Sequence, residues 1–365
     1  MKSYFNMEGM NIFKHNDRTV ILVPPLHLLG GISMHYKGLK EYWQSDIRYY
    51  EVFKEDNPTM LSIFKAVWNY IRFIAILVVL KPKIVVANIS LKKGFYSKNK
   101  YIRIAKLFNK KVVTFIHGWD TESEYMLTTG RGKFTLNNTD TFIVLSGQFK
   151  KKLETIGIQK NIYISTTKVD NRLLKGFDIG KRVGDIKKFL FLSRVERAKG
   201  IFLALDVFKL LQKDNPILSF TIAGQGTALE EVKNYVDDNN IKNVYFAGRV
   251  DGESLSKTFA DSDCFFLLSL SEGMPAALLE AMAFGLPVIT CPVGGIPDFF
   301  VDGDMGIMSS STVPQYYYIR IKELMDNPLK TQNISRTNYV YAEEHFYASS
   351  VVRNLEKIFN ESEKN

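Results

Sequence analysis

The sequence predicts an α/β protein with two doubly wound parallel sheets, and three observations carry this prediction. The chain has 365 residues, whereas an ordinary domain has about 100–200, so two domains are expected. Short β-branched and aromatic runs alternate with longer helical patterns, which is typical of parallel sheets with right-handed crossovers. Apolar content of 46% and charged content of 24% provide enough apolar material for two globular cores.

Eleven apolar runs are predicted as strands, and several are nearly continuous, as in strands that are covered on both faces. They are residues 19–25, 46–53, 83–89, 111–118, 141–146 and 161–166, followed by 187–193, 218–224, 243–248, 264–269 and 287–292. The polar, basic and glycine-containing segment 165–185 separates the two series. We therefore expect domains at 1–168 and 169–340. A closing helix over 341–365 is expected to pack back toward the N-terminal domain.

The net charge of +10 belongs to the N-terminal half. Residues 1–168 hold 26 Lys and Arg against 12 Asp and Glu, whereas the remainder holds 22 against 26. Two interpretations stay open: a solvated lysine-rich surface, or attraction to an anionic surface such as a membrane leaflet or nucleic acid. A recognised nucleic-acid-binding module is not found in the sequence, which disfavours the latter partner.

Cysteine usage and the apolar stretches bear on the compartment. Cys264 and Cys291 lie in strand-like runs and are interpreted as free thiols of a reducing compartment. The N-terminus lacks an apolar core and a cleavage site of the secretory type. The apolar stretch 66–80 is interrupted by Asn69 and Arg72, which favours a buried helix over a membrane span. We expect a cytoplasmic protein, with peripheral contact at the inner face of the membrane as an open alternative.

Ligands of open parallel sheets bind at the carboxyl ends of the strands. After the first predicted strand, Gly30 and Gly31 lead into a predicted helix with Ser33 near its start. His117 follows the run "KVVTFI", where that strand ends. Each feature is also compatible with an ordinary turn or a structural histidine, so neither identifies a site alone.

Two cations follow the strand at 187–193. Arg194 and Lys199 precede a helical pattern that Gly200 opens. A planar guanidinium and a compact ammonium near a helix start are suited to a diphosphate. Solvent-facing loop charge is the alternative, and it is the better interpretation of Arg197. The later "GQG" has Leu229 where a dinucleotide fingerprint has its third glycine, so NAD is not expected.

The segment "SEGMPAALLEAMAFGLPVI", residues 271–289, predicts a loop, a helix from Pro275 to Phe284 and a strand. Amides of the preceding residues and of the first turn point out of the helix start; these residues are Gly273, Met274 and Ala276. Glu272 and Glu280 are eight residues apart, about 12 Å along an ideal helix. A glycosidase-type acid pair needs about 5–10 Å. We therefore interpret the glutamates as separate anchors, with Glu280 suited to a ribose diol.

These residues resemble the E-x7-E family of retaining glycosyltransferases with the GT-B fold, the glycogen-synthase-like group 1 transferases (family 4). "LSRVERAKG" is similar to the family segment G-R-L-x-x-x-K-G, with Ser193 in place of the usual glycine. "IAGQG", "VYFAGRV", "TFIVLS" and "EEHFYASSVVRNLEKIF" also match in order and spacing. The C-terminal half matches almost throughout, and the N-terminal half matches more loosely.

The resemblance implies two Rossmann-like domains facing a central cleft, an N-terminal one for the acceptor and a C-terminal one for the donor. It implies catalytic roles for Glu272, His117, Arg194 and Lys199. It implies donor binding by Arg194, Lys199, Glu272, Gly273, Met274, Pro275, Ala276, Glu280 and Arg249. Gly30, Gly31 and Ser33 would form the glycine-rich loop near acceptor and donor.

The resemblance also implies metal-independent transfer with retention of configuration. The donor would be a UDP- or GDP-sugar, used as substrate without a further cofactor. The acceptor would be a glycan or a lipid-diphosphate-linked glycan in bacterial surface polysaccharide assembly. Two Asp-x-Asp sequences, at 261–263 and 302–304, lie before a strand and in a turn pattern, and are not interpreted as metal sites. A GT-B epimerase or hydrolase, and a basic nucleic-acid-binding protein, stay open as alternatives.

Overall fold

The computed structural model describes residues 19–28, 30–52, 60–90, 98–119 and 121–364. The amino-terminal segment that argues against secretion lies outside these residues, as does the last residue of the predicted strand 46–53. The described chain forms two compact units, each with a six-stranded parallel sheet. The predicted fold class, a doubly wound α/β protein of the GT-B type, is confirmed.

The first sheet has the spatial order β2-β1-β3-β4-β5-β6. Its strands are β1 (Thr19–Val23), β2 (Ile47–Glu51), β3 (Ile84–Ile89), β4 (Lys111–Ile116), β5 (Thr141–Val144) and β6 (Asn161–Ile164). The helices of this part are α1 (Gly31–Leu39), α2 (Met60–Val79), α3 (Asn99–Leu107), α4 (Thr121–Thr128), α5 (Gly130–Asn137) and α6 (Gly147–Thr155). β1, β3 and β5 are buried along their whole length, as expected for strands covered on both faces.

The second sheet has the order β12-β11-β10-β7-β8-β9. Its strands are β7 (Lys188–Leu192), β8 (Ser219–Ala223), β9 (Val244–Gly248), β10 (Cys264–Leu267), β11 (Val288–Thr290) and β12 (Gly306–Met308). The helices are α7 (Ile201–Asp214), α8 (Leu229–Asp238), α9 (Gly252–Ala260), α10 (Ala276–Ala283), α11 (Pro314–Met325), α12 (Pro328–His345) and α13 (Ala348–Lys364). Side chains of β7 alternate between two cores: Phe189 and Phe191 pack toward α7, and Leu190 toward α10.

All eleven predicted strands are present, with ends within a few residues of the predictions. β12 was not predicted, because its three residues in "GDMGIM" carry no strand pattern. Both cysteines are free; Cys264 is buried and Cys291 only partly so. The domain boundary near residue 168 stays a prediction. Residues 356–364 of α13 belong to the first unit, where the Glu356 carboxylate accepts bonds from the amides of Gln44 and Ser45 at 2.8 and 2.7 Å.

The apolar stretch 66–80 forms most of α2 and differs from its prediction as a buried helix. Phe73 and Leu77 are buried against the first sheet, whereas Trp68 on another face is 61% exposed. A single helix on a sheet buries only the face toward that sheet, so the rest of its apolar surface stays uncovered. Within the described part of the chain, no helix is long and apolar enough to span a bilayer.

Candidate active site

The strand order of the second sheet locates its ligand crevice. The chain runs outward from β7 to β8 and β9, then returns to the other side of β7 with β10. At such a reversal the two following loops leave the sheet in opposite directions and open a crevice at the carboxyl ends. Here these loops are residues 193–200, after β7, and 268–275, after β10. They carry most of the site residues that the sequence predicted.

Lys199 and Glu272, one from each loop, form an ion pair at this crevice. The Lys199 ammonium donates to Glu272 Oε1 at 2.7 Å, and the side chains are only 14% and 10% exposed. The Ser269 hydroxyl donates to the same oxygen at 2.7 Å. The cation is thus held at the crevice by a carboxylate that is itself fixed by a second bond. Ser269 was not predicted, because its part in the site depends on how the loop folds back.

Backbone contacts fix the two loops against each other. Leu270 N donates to Ala198 O at 2.9 Å. Gly200 begins α7 with φ of +74°, and a Cβ there would lie 2.0 Å from Leu268 O. Only glycine tolerates both the backbone conformation and this approach. The glycine that follows Lys199 is therefore required for the two loops to meet.

The loop before α10 is held from its other side by a second glycine pair. Gly295 N donates to Gly273 O at 2.7 Å. Gly294 has φ of +61°, and a Cβ there would lie 2.2 Å from Glu272 O. This pair was absent from the sequence predictions, because nothing in "CPVGGIPD" shows which backbone it approaches. It fixes the position of Glu272 as directly as Ser269 does.

The predicted helix after Pro275 is confirmed as α10. Pro275 precedes its first residue, and Pro275 O accepts bonds from the amides of Leu278 and Leu279 at 3.1 and 3.3 Å. The amides of Ala276 and Ala277 belong to the first turn, which has no acceptor within the helix. They add partial positive charge at the crevice, close in sequence to Glu272 and Met274.

Glu280 lies on α10 among Leu278, Leu279, Ala281 and Met282, which are fully buried. Its own side chain is partly buried, and it makes no hydrogen bond or ion pair with the residues that the structure describes. Burial raises the pKa of this carboxyl to about 7, an effect that Lys168 opposes and Asp170 reinforces. A carboxylate in such a place is costly unless a ligand donates hydrogen bonds to it.

Lys168 and Asp170 were not predicted as site residues, yet they set the electrostatic field at Glu280. Lys168 Nζ lies 4.0 Å from Asp170 Oδ2. Asp170 in turn accepts two bonds from the Arg172 guanidinium, at 3.0 and 2.7 Å. The lysine that faces Glu280 is thus shared with a carboxylate that already has a cation. The segment 165–185 was interpreted only as a linker, so no motif marked these residues.

Arg194 and Arg249 lie apart from the ion pair. The Arg194 side chain is 71% exposed and bonds Glu196 at 2.6 Å. Arg249 follows β9, is 54% exposed, and lies 3.8 Å from Asp251. Neither arginine contacts Lys199, Glu272 or Glu280 in the described structure. Arg197, interpreted as surface charge, pairs with Glu231 and lies over the ring of Phe202.

The Asp-x-Asp sequences have structural partners. Asp263 Oδ2 accepts bonds from the amides of Lys187 and Lys188 at 3.0 and 2.8 Å. Asp302 Oδ1 accepts from Met308 N at 2.8 Å, and both its carboxylate oxygens bond Arg320. Among the residues that the structure describes, no group of three or more His, Cys, Asp or Glu is arranged to hold a metal ion.

In the first unit, His117 follows β4 and belongs to a polar network. His117 Nε2 lies 2.7 Å from Asn88 Oδ1, and the Tyr36 hydroxyl donates to that same oxygen at 2.8 Å. The Asn88 amide nitrogen donates to Leu22 O at 3.0 Å. Burial, with a smaller contribution from His35, holds the pKa of His117 well below its usual value. The ring is therefore neutral near pH 7.

The network also determines which ring nitrogen carries the proton. The bond to Leu22 O orients the Asn88 amide so that its oxygen faces Tyr36 and His117. An amide oxygen only accepts, so His117 Nε2 must be the donor. In a neutral ring Nδ1 is then a lone-pair acceptor. Nδ1 has no hydrogen bond to the described residues. Asn88 and Tyr36 escaped prediction because they lie 29 and 81 residues before His117.

The glycine-rich loop follows β1, next to the strand-order reversal of the first sheet. Gly31 is the first residue of α1, and Gly30 O accepts a bond from Met34 N at 2.9 Å. A Cβ on Gly30 would meet only Ser33 Oγ, at 3.9 Å, and one on Gly31 would meet nothing within 4 Å. Ser33 is buried. The described protein atoms therefore leave open space at both glycines.

Comparisons with known proteins agree with this geometry. Residues 177–341 match the sequence profile of the family named glycosyl transferases group 1. An uncharacterized glycosyltransferase of Methanocaldococcus jannaschii is 23% identical over 229 residues, which are 63% of this chain and 62% of that protein. The amylovoran biosynthesis glycosyltransferase AmsK of Erwinia amylovora is 26% identical over 208 residues, 54% of this chain and 51% of AmsK. The match thus spans about half to three-fifths of these curated relatives.

A solved structure extends the likeness of fold to nearly the whole chain. HepE of Anabaena, crystallised in complex with UDP, has a TM-score of 0.73 and 13% identity over 94% of this chain and 100% of that chain. The likeness concerns the fold, because the identity is low. Together with the profile match over the donor-type sheet, it identifies the chain as a member of the glycosyl transferases group 1 family.

Proposed function

We propose that the protein is a retaining, metal-independent glycosyltransferase that moves a sugar from a nucleoside-diphosphate sugar to a glycan or lipid-linked acceptor. One observation carries the proposal. The crevice of the second sheet gathers a cation, a helix start and a carboxylate without a partner, in the order that a diphosphate and a ribose require. The name of AmsK supports a place in bacterial surface polysaccharide biosynthesis.

The donor would be held at two points. Glu280 would accept hydrogen bonds from the two ribose hydroxyls, which satisfies a carboxylate that the described protein leaves unpaired. Lys199 and the amides at the start of α10 would bind the diphosphate. Arg194 is exposed and held only by Glu196, so its side chain can turn toward the diphosphate without breaking buried contacts. UDP or GDP is the expected nucleotide, and the crystallisation of HepE with UDP supports the first.

The transfer would break the bond between the anomeric carbon and the departing diphosphate oxygen. A bond from that carbon to the acceptor hydroxyl oxygen would form on the same face, and the acceptor proton would pass to the departing phosphate oxygen. The charge on the diphosphate rises as it leaves, and Lys199 with the α10 amides would stabilise it. Glu272, fixed by Lys199 and Ser269, would face the sugar and stabilise the positive charge that develops on it.

His117 would face the sugar from the first unit as a neutral hydrogen-bond acceptor. Its Nδ1 lone pair suits a sugar hydroxyl, whereas its lowered pKa makes it a poor proton donor near pH 7. Gly30 and Gly31 would leave room for substrate, since neither is crowded by described protein atoms. We place the reaction in the cytoplasm with a lipid-diphosphate-linked acceptor, for which the basic N-terminal half is the support.

A thermal-shift screen with UDP, GDP, ADP and CDP tests the proposal first. A nucleotide that binds only the native state raises the melting temperature as its concentration passes its dissociation constant. Lys199→Ala and Glu280→Gln should abolish most of that shift. The matched surface variants Lys187→Ala and Glu253→Gln should retain it. If no nucleotide stabilises the protein, or if both site variants respond as the wild type does, the donor site is assigned wrongly.

Incubation with the matching nucleotide sugar separates transfer from the alternative activities. Transfer predicts slow donor cleavage without acceptor and a strong increase when a glycan or a polyprenyl-diphosphate glycan is added. A product whose new linkage has the opposite anomeric configuration to the donor would exclude retention. Conversion of the donor to its epimer without acceptor would favour an epimerase. Activity that persists in excess EDTA is expected.

A further inference from the structure

The outward face of α2 is apolar, which reverses the usual pattern of a surface helix. Large side chains that are about half to two-thirds exposed form a continuous band, here called the apolar stripe: Phe64, Val67, Trp68, Ile71, Val78 and Val79. They recur at intervals of three, four and seven residues, so they share one face of the helix. A helix that packs on a sheet ordinarily turns polar residues outward. The stripe therefore implies a surface that is covered when the protein works.

The orientation of α2 is fixed by its other face. Phe73 and Leu77 are buried in the same core as Val85 and Ala87 of β3. Rotating the helix to hide the stripe would expose these residues, so the outward face cannot exchange with the inward one. The stripe is also too one-sided for a membrane span, because half of α2 belongs to the core of the first unit.

Charge complements the apolar band. Among the described side chains of α2, the exposed charged ones are Lys65 and Arg72, and the helix contains no acidic residue. Lys100 of α3 lies 5.3 Å from the centre of the Tyr70 ring, which places a third cation beside α2. The N-terminal half as a whole has 26 basic against 12 acidic residues. An apolar face flanked by cations, with a tryptophan in it, is the pattern of a helix that lies in the interface of an anionic bilayer.

We propose that the apolar stripe of α2 docks the protein on an anionic lipid bilayer, with the helix parallel to the membrane plane. The six side chains would enter the boundary between headgroups and acyl chains, and Lys65, Arg72 and Lys100 would contact lipid phosphates. A helix of 20 residues spans about 30 Å, enough for a line of contact along the membrane. Docking explains both why the face is apolar and why the charges beside it have one sign.

Docking also deepens the proposed function, on which its purpose rests. A transferase that uses a lipid-linked acceptor gains from being held where that acceptor is, since binding becomes a local event at high effective concentration. The binding itself follows from α2 alone. It can therefore be tested without any assay of transfer.

Vesicle flotation of the full-length chain tests the docking. One set of vesicles contains phosphatidylcholine alone, and the other contains equal parts of phosphatidylcholine and phosphatidylglycerol. The stripe variant is Trp68→Gln with Ile71→Gln, and its control is Ile217→Gln with Val313→Gln, two exposed apolar residues of the second unit. The charge variant is Lys65→Gln with Arg72→Gln, and its control is Lys187→Gln with Lys257→Gln. Exposed positions were chosen so that folding is retained, which circular dichroism checks.

The wild type should float with the anionic vesicles and far less with the neutral ones. The stripe variant should lose on the order of a hundredfold in partitioning, since two buried apolar side chains are removed. The charge variant should lose on the order of tenfold, with most of the loss absent at high salt. Both controls should float as the wild type does.

Three results would overturn the proposal: no flotation with either composition, flotation that the stripe variant retains, or a wild-type dimer that the stripe variant converts to monomer. The last would assign the stripe to a second copy of the chain, and light scattering after gel filtration detects it. Nucleotide binding by the same variants separates the two proposals. The stripe variant should bind nucleotide normally, and Glu280→Gln should float normally.

Discussion

The two units of this protein present opposite kinds of polar site at the carboxyl ends of their strands. The crevice of the second sheet holds an ion pair, Lys199 with Glu272, and a carboxylate without a partner, Glu280. The first sheet presents a neutral network in which Asn88 joins Tyr36 and His117. Charges of both signs suit a ligand with a diphosphate and a diol, whereas neutral acceptors suit the hydroxyls of a sugar.

The difference extends to how each site is held in place. In the second unit, glycines allow backbone to pass within van der Waals distance of the loop that carries Glu272. In the first unit, side-chain hydrogen bonds orient a single imidazole. The first arrangement fixes the position of charges, and the second fixes the position of a proton. Each can be broken by substitutions that leave the other unit intact.

The largest effect is expected for Lys199→Ala. Loss of a preorganised cation at a departing group costs about a hundredfold to a thousandfold in turnover. Steady-state kinetics with donor and acceptor measure this. The loss should persist in a Glu272→Gln background, where Lys199→Ala no longer leaves a carboxylate unpaired. Lys187→Ala is the surface control, and equal rates for the two lysine variants would contradict the account.

Gly294→Ala should destabilise the second unit by about 2–4 kcal/mol, since it combines a left-handed backbone with a severe contact. Gly248→Ala is a close control: its φ is +64° against +61° for Gly294, but a Cβ there meets nothing within 4 Å. The control should lose only about 1 kcal/mol. Urea denaturation measures both. If the two variants were equally stable, the contact with Glu272 O would not be what requires glycine.

Glu280→Gln should stabilise the ligand-free protein in a pH-dependent way. Burial raises the pKa of this carboxyl from 4.5 to about 7, so the folded state favours the protonated form. Below about pH 4.5 the wild type bears no cost, and the cost grows up to about pH 7 and then stays constant. The variant should gain about 1–3 kcal/mol near pH 8 and much less near pH 5. A gain that is largest in acid would have the wrong sign.

The smallest effect, about tenfold in kcat/KM, is expected for Asn88→Leu, which removes the acceptor that fixes the His117 tautomer. Nitrogen-15 spectra of labelled histidine should show one neutral tautomer, protonated at Nε2, in the wild type and a mixture in the variant. Asn88→Asp restores an acceptor and should raise the pKa of His117, because a carboxylate favours the imidazolium. Tyr36→Phe keeps the bond to His117 and should keep the tautomer. An unchanged spectrum for Asn88→Leu would contradict the assignment.

Much of the second unit could be predicted from the sequence, because its signals are local. The strands are apolar runs, α10 follows Pro275, and the residues of the crevice stand directly after strands. Lys168 could not be found in this way, since its influence on Glu280 depends on where a linker packs. The same holds for Asn88 and His117, which are joined across 29 residues. For α2 the composition is apolar on all faces, so periodicity could not show which face the sheet buries.

Proton release on nucleotide binding tests the central claim most directly, namely that Glu280 is the anchor for the ribose. Hydrogen bonds from two hydroxyls favour the carboxylate form, so binding should lower the pKa of Glu280 from about 7. Calorimetric titration of the best nucleotide near neutral pH, in two buffers of different ionisation enthalpy, counts the protons. The account predicts a fractional proton released by the wild type and none by Glu280→Gln, which should also bind more weakly. Equal proton release and equal affinity for the two proteins would contradict it.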